Sequence, residues 1–366
     1  MNRTELRFAL HLLPFLDSVE DFEDGLVKLS DRRWLVWHPD VVAALFRHDR
    51  DLRHPPSRTL SPLLGNRSVL WLDGEEHTAY RRTLAPMLRG HRYRELIDEL
   101  VERSIAELPS GDPVGLAQWT RRLTLRIIGR IVFGVDDEEL LGAFTRWLDR
   151  RLGSRVRTLA HRYLTPGTTR FDPQLDRMLL HRATTAQPPA LAAYLPREDL
   201  RDQVVSLLFA GHETTASATA WTVYWIDRTP GLADEVLNDP ELLGATITES
   251  LRLSPPATLA GNRMSHDGMV LTPSIYLAHR RAATYADPHA FDPTREQPPP
   301  GAFFPFGGGV RHCPGKDLAL LEIRLIVTAL LRHRRIRLNA TTCTPQLRGA
   351  AMAPPPSLAM VATCRR

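Results

Sequence analysis

The spacing of apolar residues predicts a chain built mainly from helices. Through most of the sequence they recur at the three-to-four-residue period of an amphipathic helix. The longest such segment, 197–229, is amphipathic at its start and then almost entirely apolar, and Pro230 ends it because proline cannot continue a helix. The predicted helices are 41–48, 75–88, 92–108, 117–134, 139–162, 197–229, 240–253 and 314–333.

Strand signals are short and lie between these helices. Residues 33–38 are rich in β-forming side chains, residues 257–280 alternate and contain turn residues, and the tail 336–364 carries weaker signals. Residues 281–312 have no period and are dominated by Pro, Gly, Phe and Asp. A loop of that length within a compact chain usually serves function. We therefore expect a fold that is mainly α with small β-sheets.

The composition is that of an ordinary globular protein, with 366 residues of which 43% are hydrophobic and 24% charged. The formal net charge of +5 is too small to indicate nucleic-acid binding. Three scattered cysteines do not form a disulfide framework, which fits a reducing compartment. The N-terminal segment lacks the pattern of a signal peptide, and no apolar run approaches the about 20 residues that span a membrane. We expect a cytoplasmic protein with no membrane anchor and no nucleic-acid partner.

The richest candidate chemistry lies in residues 304–315, Phe-Pro-Phe-Gly-Gly-Gly-Val-Arg-His-Cys-Pro-Gly. Its glycines allow the backbone to approach a bound group closely. Cys313 stands at the start of a predicted helix, where free amides stabilise a thiolate, and Arg311 adds positive charge. The spacing from Gly309 to Gly315 does not match a phosphate-binding loop, and the other cysteines are too distant for a zinc site. A metal ligand, a nucleophile and a buried structural cysteine remain as interpretations.

This segment resembles the cysteine loop of the cytochrome P450 family, Phe-x-x-Gly-x-x-x-Cys-x-Gly, at each of its fixed positions. The resemblance implies the cytochrome P450 fold, with haem b between a long distal helix and the proximal helix that follows the cysteine. It implies that Cys313 is the axial thiolate ligand of the haem iron, that Phe306 packs on the sulfur side and that Arg311 faces a propionate. The haem-contacting residues that it implies in this loop are Phe306, Gly307, Arg311, Cys313 and Gly315.

Residues 210–215 of the long helix, Ala-Gly-His-Glu-Thr-Thr, place a carboxylate beside a hydroxyl. Gly211 weakens the helix by up to about 1 kcal/mol relative to Ala, and the segment is expected to interrupt it. The position four residues after the histidine is alanine, which excludes a zinc-hydrolase helix, whereas a helix with a polar face remains open. The segment resembles the oxygen-activation segment of the family, with Ala210 and Gly211 beside the haem. The resemblance implies that Thr214 hydrogen-bonds the bound oxygen and that Glu213 relays protons.

Three further motifs resemble landmarks of the family and occur in its order. His77 and Arg81 share one face of a helix, which is also common in solvated surface helices, and the family places such a pair on the haem propionates. Arg263 matches another propionate arginine. A Glu-x-x-Arg pair and a later arginine resemble a buried structural charge anchor, because three charges that satisfy each other tolerate burial. The anchor residues are Glu249, Arg252 and Arg295.

These landmarks extend over nearly the whole chain, so the resemblance implies a single domain at residues 1–366. It implies a haem-thiolate monooxygenase that hydroxylates or epoxidises a lipophilic small molecule with O2, with bacterial secondary metabolism as its expected role. Electrons are expected from a separate ferredoxin and an NAD(P)H-dependent ferredoxin reductase, since no segment fits a flavin, nicotinamide or iron–sulfur site. A haem-thiolate isomerase or dehydratase and a non-catalytic haem-binding protein of the same fold remain alternatives.

The expected walls of the substrate pocket are small and apolar. They are residues 54–70, 207–210, 257–261 and 350–353. Residues 163–196 correspond to the roof of the pocket in the family and are short here. We therefore expect a pocket that is open or that a partner closes.

Overall fold

The computed structural model describes residues 2–57, 60–153, 172–348 and 351–365. Helices dominate this part of the chain. They are α1 (Arg3–Leu10), α2 (Leu12–Asp17), α3 (Pro39–Arg47), α4 (Ser61–Leu64), α5 (Gly74–Met87), α6 (Arg94–Ala106), α7 (Leu116–Phe133), α8 (Glu138–Leu152), α9 (Pro173–Thr185), α10 (Leu200–Arg228), α11 (Leu232–Asn238), α12 (Pro240–Leu253), α13 (Ile275–Ala278) and α14 (Lys316–His333). Short 3-10 turns occupy Asp49–Asp51, Gly90–Tyr93, Leu191–Tyr194 and Gly309–Arg311.

The strands form small sheets at the edge of the helical body. They are β1 (Leu26–Ser30), β2 (Arg33–Val36), β3 (Pro113–Gly115), β4 (Arg263–Met264), β5 (Val270–Pro273), β6 (Arg334–Leu338), β7 (Gln346–Arg348), β8 (Ala351–Ala353) and β9 (Ala359–Cys364). The sheet orders are β1-β2-β5-β4, β3-β9-β6 and β7-β8. Only the β2–β5 pair is parallel among these described pairings. The expected class, mainly α with small sheets, is confirmed.

The long helix α10 runs through the core and is buried along almost its whole length. It packs on α7, α12, α14 and β8. Contact on several sides explains its apolar sequence, since a helix with one solvated face keeps a polar stripe. Gly211 allows the close contact with α7, because a Cβ there would lie 2.6 Å from Cγ1 of Ile128. This helix therefore fixes the ceiling of the space above the cysteine loop.

Each predicted helix is present, and apart from the C-terminal end of the 139–162 helix its ends are shifted by at most a few residues. The predicted strands at residues 33–38 and in the tail are confirmed as β2 and β6 to β9. Residues 154–162 of the predicted 139–162 helix, and residues 163–171 of the proposed roof, lie outside the described residues. The rest of that roof contains α9 and a 3-10 turn. No described helix has the length and apolar character needed to cross a membrane.

Two local expectations are wrong. Residues 275–278, predicted within a strand region, form the helical turn α13, because the Ser274 hydroxyl accepts from the amide of Leu277 at 3.2 Å and caps the turn. The predicted interruption of the long helix is absent, and α10 is continuous through Gly211. Contact with α7 on the glycine side compensates for the low helix propensity of one residue.

Candidate active site

A cavity of about 400 Å³ lies between α10 and the cysteine loop. Several expected pocket segments border it, whereas β8 does not, because the Met352 carbonyl faces α10 and accepts from Nε1 of Trp221 at 3.0 Å. The expectation that residues 351–353 form a pocket wall is therefore wrong, and residue 350 lies outside the described residues. The sequence-predicted site residues that line the cavity are His77, Arg81, Ala210, Gly211, Thr214, Arg263, Phe306, Gly307, Arg311, Cys313 and Gly315.

The cysteine loop is a tight turn in which the backbone amide of Cys313 donates to the Phe306 carbonyl at 2.9 Å. Gly307 and Gly309 adopt φ values of +68° and +64°, in the left-handed region that favours glycine. A Cβ on Gly309 would also overlap the carboxylate of Asp49. The glycines thus serve the shape of the loop and its packing on Asp49.

Burial raises the pKa of the Cys313 thiol, whereas the Gly315 amide and the Arg81 guanidinium lower it. The expectation that Arg311 supplies the neighbouring charge is wrong, because Arg311 is turned to the carbonyls of Val69 and Leu72. The helix also begins at Lys316, so Cys313 precedes it. A metal ion bound to such a sulfur displaces its proton.

The wall beside the cysteine carries nitrogen groups that lack partners. The side chains of His77 and Arg81 form no hydrogen bond or ion pair with any described residue. Nε of Arg311 is likewise buried with no partner in the described ranges. Burial lowers the pKa of Arg81, and burial together with Arg311 and Arg81 lowers that of His77 to about 4. Within the part of the chain that is described, Arg81 has no counter-charge there, and Nε of Arg311 stays unpaired although its Nη2 donates to Asp73, so this wall fits an anionic group such as the carboxylates of haem.

Arg263 differs from this set because protein groups already satisfy it. Its Nε donates to Oδ1 of Asp49 at 2.8 Å, its Nη1 to the Gly261 carbonyl at 2.6 Å, and its Nη2 to Asp49 and the Gly308 carbonyl. Both charged side chains are 1% exposed. Four of the five guanidinium N–H groups are therefore used, and one remains for a bound carboxylate.

On the opposite wall, the Thr214 hydroxyl borders the cavity and donates to the Ala210 carbonyl at 2.7 Å. Gly211, beside it, is also part of this wall. A hydroxyl that faces the cavity and retains a backbone acceptor can exchange a proton with a molecule bound there.

Glu213, the adjacent carboxylate, does not line the cavity. Nε of Arg121 donates to its Oε1 at 2.8 Å, and Nε2 of His212 lies 3.3 Å from the same atom. Burial alone would raise the pKa of Glu213, but His212 and Arg121 lower it to about 2. Arg121 also pairs with Asp149 at 3.3 Å, and Arg348 pairs with Asp149 at 3.1 Å. The structure therefore holds Glu213 as a carboxylate in a buried charge network.

The three residues of the predicted charge anchor are brought together. Arg252 donates to both oxygens of Glu249, at 2.8 and 2.7 Å, and Nε of Arg295 donates to Oε1 at 3.1 Å. Glu249 and Arg252 are 4% and 2% exposed. Both arginines also donate to the Ala290 carbonyl, so the anchor fixes the loop that leads to the cysteine.

The sequence did not identify several residues that shape the cavity or hold its walls. Glu322 lines the cavity at 1% exposure, and its Oε2 has no hydrogen-bond partner in the described part of the chain. Burial raises its pKa well above the ordinary value, because it disfavours the charged form of the carboxyl. Asp49, His54 and Arg121 were missed as well. No motif marks them, because each acts through partners distant in sequence.

Known proteins that match this chain share one family name. The family model described as Cytochrome P450 matches residues 143–361. Cytochrome P450 135B1 of Mycobacterium tuberculosis is 30% identical over 410 residues, which covers 95% of this chain and 82% of the relative. Cytochrome P450 138 of the same species is 30% identical over 350 residues, covering 81% and 78%. These names state a family and no substrate.

Solved structures agree with the fold. A 6-coordinated cytochrome P450 from Thermus thermophilus matches with a TM-score of 0.73 and 28% identity, over 90% of this chain and 92% of that one. CYP175A1 from another strain of the same species gives 0.79 and 27%, over 97% and 96%. A retinoic-acid-bound cyanobacterial CYP120A1 gives 0.81 at 21% identity, over 99% and 96%, and supports the fold alone. The fold expected from the sequence is thereby confirmed.

Proposed function

The chain belongs to the cytochrome P450 family, and from this premise we propose that it is a haem-thiolate monooxygenase acting on a lipophilic small molecule. Members of the family use a haem iron, O2 and an external source of electrons. One observation carries the proposal for this chain. Cys313 faces a cavity whose adjoining wall holds the unpartnered nitrogen groups of His77, Arg81 and Arg311. A thiol ligand beside donors for two carboxylates matches the chemistry of haem b.

When bound, haem supplies the activation of O2 that side chains cannot provide. Cys313 would hold the iron through its sulfur, and Arg81 and Arg311 would neutralise the haem carboxylates. Phe306 lines the cavity next to the cysteine and excludes water from the sulfur side. Arg263 would contribute less to binding the haem carboxylates, since only one N–H of its guanidinium remains available.

Thr214 is the hydroxyl proposed to give a proton to the reacting molecule, and for this its O–H would turn from the Ala210 carbonyl toward the cavity. Glu213 would supply Thr214 with a new proton from outside the cavity. For this, the carboxylate of Glu213 must leave Arg121, which holds it in the charge network. A carboxylate with a lowered pKa gives up a proton readily, so Glu213 would take each proton from solvent and pass it on without retaining it. Thr214 and Glu213 are therefore proposed as the catalytic pair.

The substrate is proposed to be lipophilic and largely uncharged. The walls contributed by Val69, Leu70, Leu207, Ala257 and Leu259 are apolar. We also propose that a ferredoxin and an NAD(P)H-dependent ferredoxin reductase supply the electrons, in the cytoplasm and as part of bacterial secondary metabolism. Association with an acidic carrier is supported by exposed arginines, namely Arg82, Arg89, Arg92, Arg332 and Arg335.

A second candidate is a haem-thiolate isomerase or dehydratase. The position of Glu213 away from the cavity favours it, because such reactions consume neither O2 nor relayed protons. The two candidates differ in whether product formation requires O2 and reductant.

The test begins with the absorbance spectrum of the purified haem-loaded chain, reduced and exposed to carbon monoxide. We expect the strongly red-shifted Soret band of thiolate ligation, its loss in Cys313→Ser and its retention in Cys343→Ser. Failure to take up haem, or an unshifted band in the wild type, contradicts the proposal. Product formed only with O2 and reductant then favours the monooxygenase, and product formed without them favours the second candidate.

A further inference from the structure

His54 connects two carboxylates in the floor of the cavity. Its Nδ1 lies 2.8 Å from Oδ1 of Asp73, and its Nε2 lies 3.0 Å from Oδ1 of Asp49. The backbone amide of His54 also donates to Oδ2 of Asp73 at 2.8 Å. Because both ring nitrogens face carboxylate oxygens, only the doubly protonated imidazolium donates to both. His54 is 7% exposed, so solvent does not replace these bonds easily.

Asp49, at one end of this bridge, holds the cysteine loop. Its Oδ2 accepts from the backbone amide of Val310 at 2.8 Å, three residues before Cys313. The lack of a side chain on Gly309 leaves the space that this carboxylate fills. Arg263 compensates the charge of Asp49. Asp49 therefore connects His54 to the backbone that presents the sulfur.

Asp73, at the other end, holds the start of α5 and Arg311. It caps the helix by accepting from the Gly74 amide at 3.3 Å, and its Oδ1 also accepts from Nη2 of Arg311 at 3.0 Å. Helix α5 carries His77 and Arg81 on its cavity side. Asp73 therefore connects His54 to Arg311 directly and, through the start of α5, to His77 and Arg81.

The two carboxylates of the bridge are already paired with arginines, Asp49 with Arg263 and Asp73 with Arg311, so the ring of His54 joins them through its hydrogen bonds and not through the net charge. The charged groups that face it are Asp49, Asp73, Arg263 and Arg311, and His77 lies close enough for electrostatic interaction with it. Two carboxylates on opposite sides of a neutral ring would leave one of them facing a lone pair. A single buried ring that donates to both of them joins the cysteine loop to α5.

We propose that His54 is a positioning residue for haem, whose imidazolium clamps the cysteine loop against the start of α5. The clamp fixes the spacing between the sulfur of Cys313 and the donors of Arg81 and Arg311. This inference rests on the proposed function, since it requires the cavity to take up haem. His54 itself acts through Asp49 and Asp73.

The test compares the haem-loaded wild type with His54→Asn and, as a matched control, His48→Asn, which changes an exposed histidine nearby. We expect His54→Asn to release haem to an acceptor protein about tenfold faster or more, the usual effect of losing an outer partner of a metal site. A smaller fraction of its reduced carbon monoxide complex should show the red-shifted Soret band. Unchanged release and an unchanged thiolate fraction in His54→Asn overturn the inference.

Asp73→Asn provides a second route to the same decision if His54→Asn does not fold. Asn caps a helix as well as Asp does, so α5 keeps its cap while both His54 and Arg311 lose a charge partner, and only a wild-type result is decisive for His54. Faster haem release is expected again, and a wild-type rate overturns the inference. Failure of the wild type to bind haem with thiolate ligation contradicts the proposed function itself, whereas wild-type behaviour of both variants contradicts only the role of His54.

Discussion

Arg121 donates from Nε to Oε1 of Glu213 at 2.8 Å, and neither side chain lines the cavity. The pair joins α7 to α10 directly beside Thr214, the hydroxyl that does border the cavity. The carboxylate of Glu213, which is proposed to relay protons, is therefore held in an ion pair, and proton delivery requires that this ion pair open. This relationship makes the pair testable through stability, without any substrate.

Loss of Arg121 should be strongly destabilising, because it leaves Glu213 buried without its guanidinium. We expect Arg121→Leu to lower the free energy of unfolding by about 3 to 5 kcal/mol. The double variant with Glu213→Leu should recover most of that loss. Urea unfolding measures both, with Arg122→Leu as an exposed neighbouring control. A loss below about 1 kcal/mol in Arg121→Leu would show that the pair does not hold Glu213.

Glu213 should also contribute to acid sensitivity. Its pKa is lowered from the ordinary 4.5 to about 2, so the folded chain holds the unprotonated form more strongly than the unfolded chain does. Its contribution to stability is present above about pH 4.5 and is lost as the pH falls toward 2. We expect unfolding curves of Glu213→Gln to depend less on pH across this window than those of the wild type. Parallel curves would contradict the lowered pKa.

Glu322 should show the opposite pH dependence. Burial raises its pKa above the ordinary 4.5, so the stability of the folded chain falls as the pH rises from that value toward the raised one. Glu322→Gln removes the titration and keeps the shape of the side chain. We expect the variant to match the wild type near pH 4 and to be more stable than the wild type at pH 7. Equal stability at both pH values would mean that the carboxyl has a counter-charge.

Motifs were sufficient to predict the fold and most of the motif residues that touch the cavity, because glycine spacing, the helix period and the position of Cys313 are local properties. The charge anchor of Glu249, Arg252 and Arg295 was predicted for the same reason, from a fixed spacing and a family order. The bridge through His54 was not predictable. Its partners lie in unrelated segments, and an isolated histidine in a proline-rich loop carries no signal. The orientation of Glu213 was also hidden, since its neighbour Arg121 lies on another helix.

Gly309 should tolerate alanine poorly for two separable reasons. Its φ of +64° strains any side chain, which costs about 1 kcal/mol, and a Cβ would overlap Asp49. Gly74, at φ +57°, has no atom within 4 Å of a Cβ, so Gly74→Ala measures the strain alone. We expect Gly309→Ala to lose more unfolding free energy than Gly74→Ala, and to lose haem affinity as well. Equal losses would show that Asp49 moves away at no cost.

Thr214 should matter for chemistry and little for stability. Its hydroxyl faces the cavity and donates to the Ala210 carbonyl at 2.7 Å. Thr219, on the same helix, makes the equivalent bond to the Thr215 carbonyl at 2.8 Å but does not line the cavity. Changing either to Val removes one side chain–backbone hydrogen bond, so each should lose about 1 kcal/mol of stability.

The two variants should differ in the product formed per O2 consumed, measured in the presence of reductant and any substrate found by screening. Thr214→Val removes the only hydroxyl proposed to give a proton to the reacting molecule, so we expect this ratio to fall about tenfold or more. Thr219→Val should keep the wild-type ratio. If Thr214→Val also keeps it, protons reach the reacting molecule through a group other than this hydroxyl.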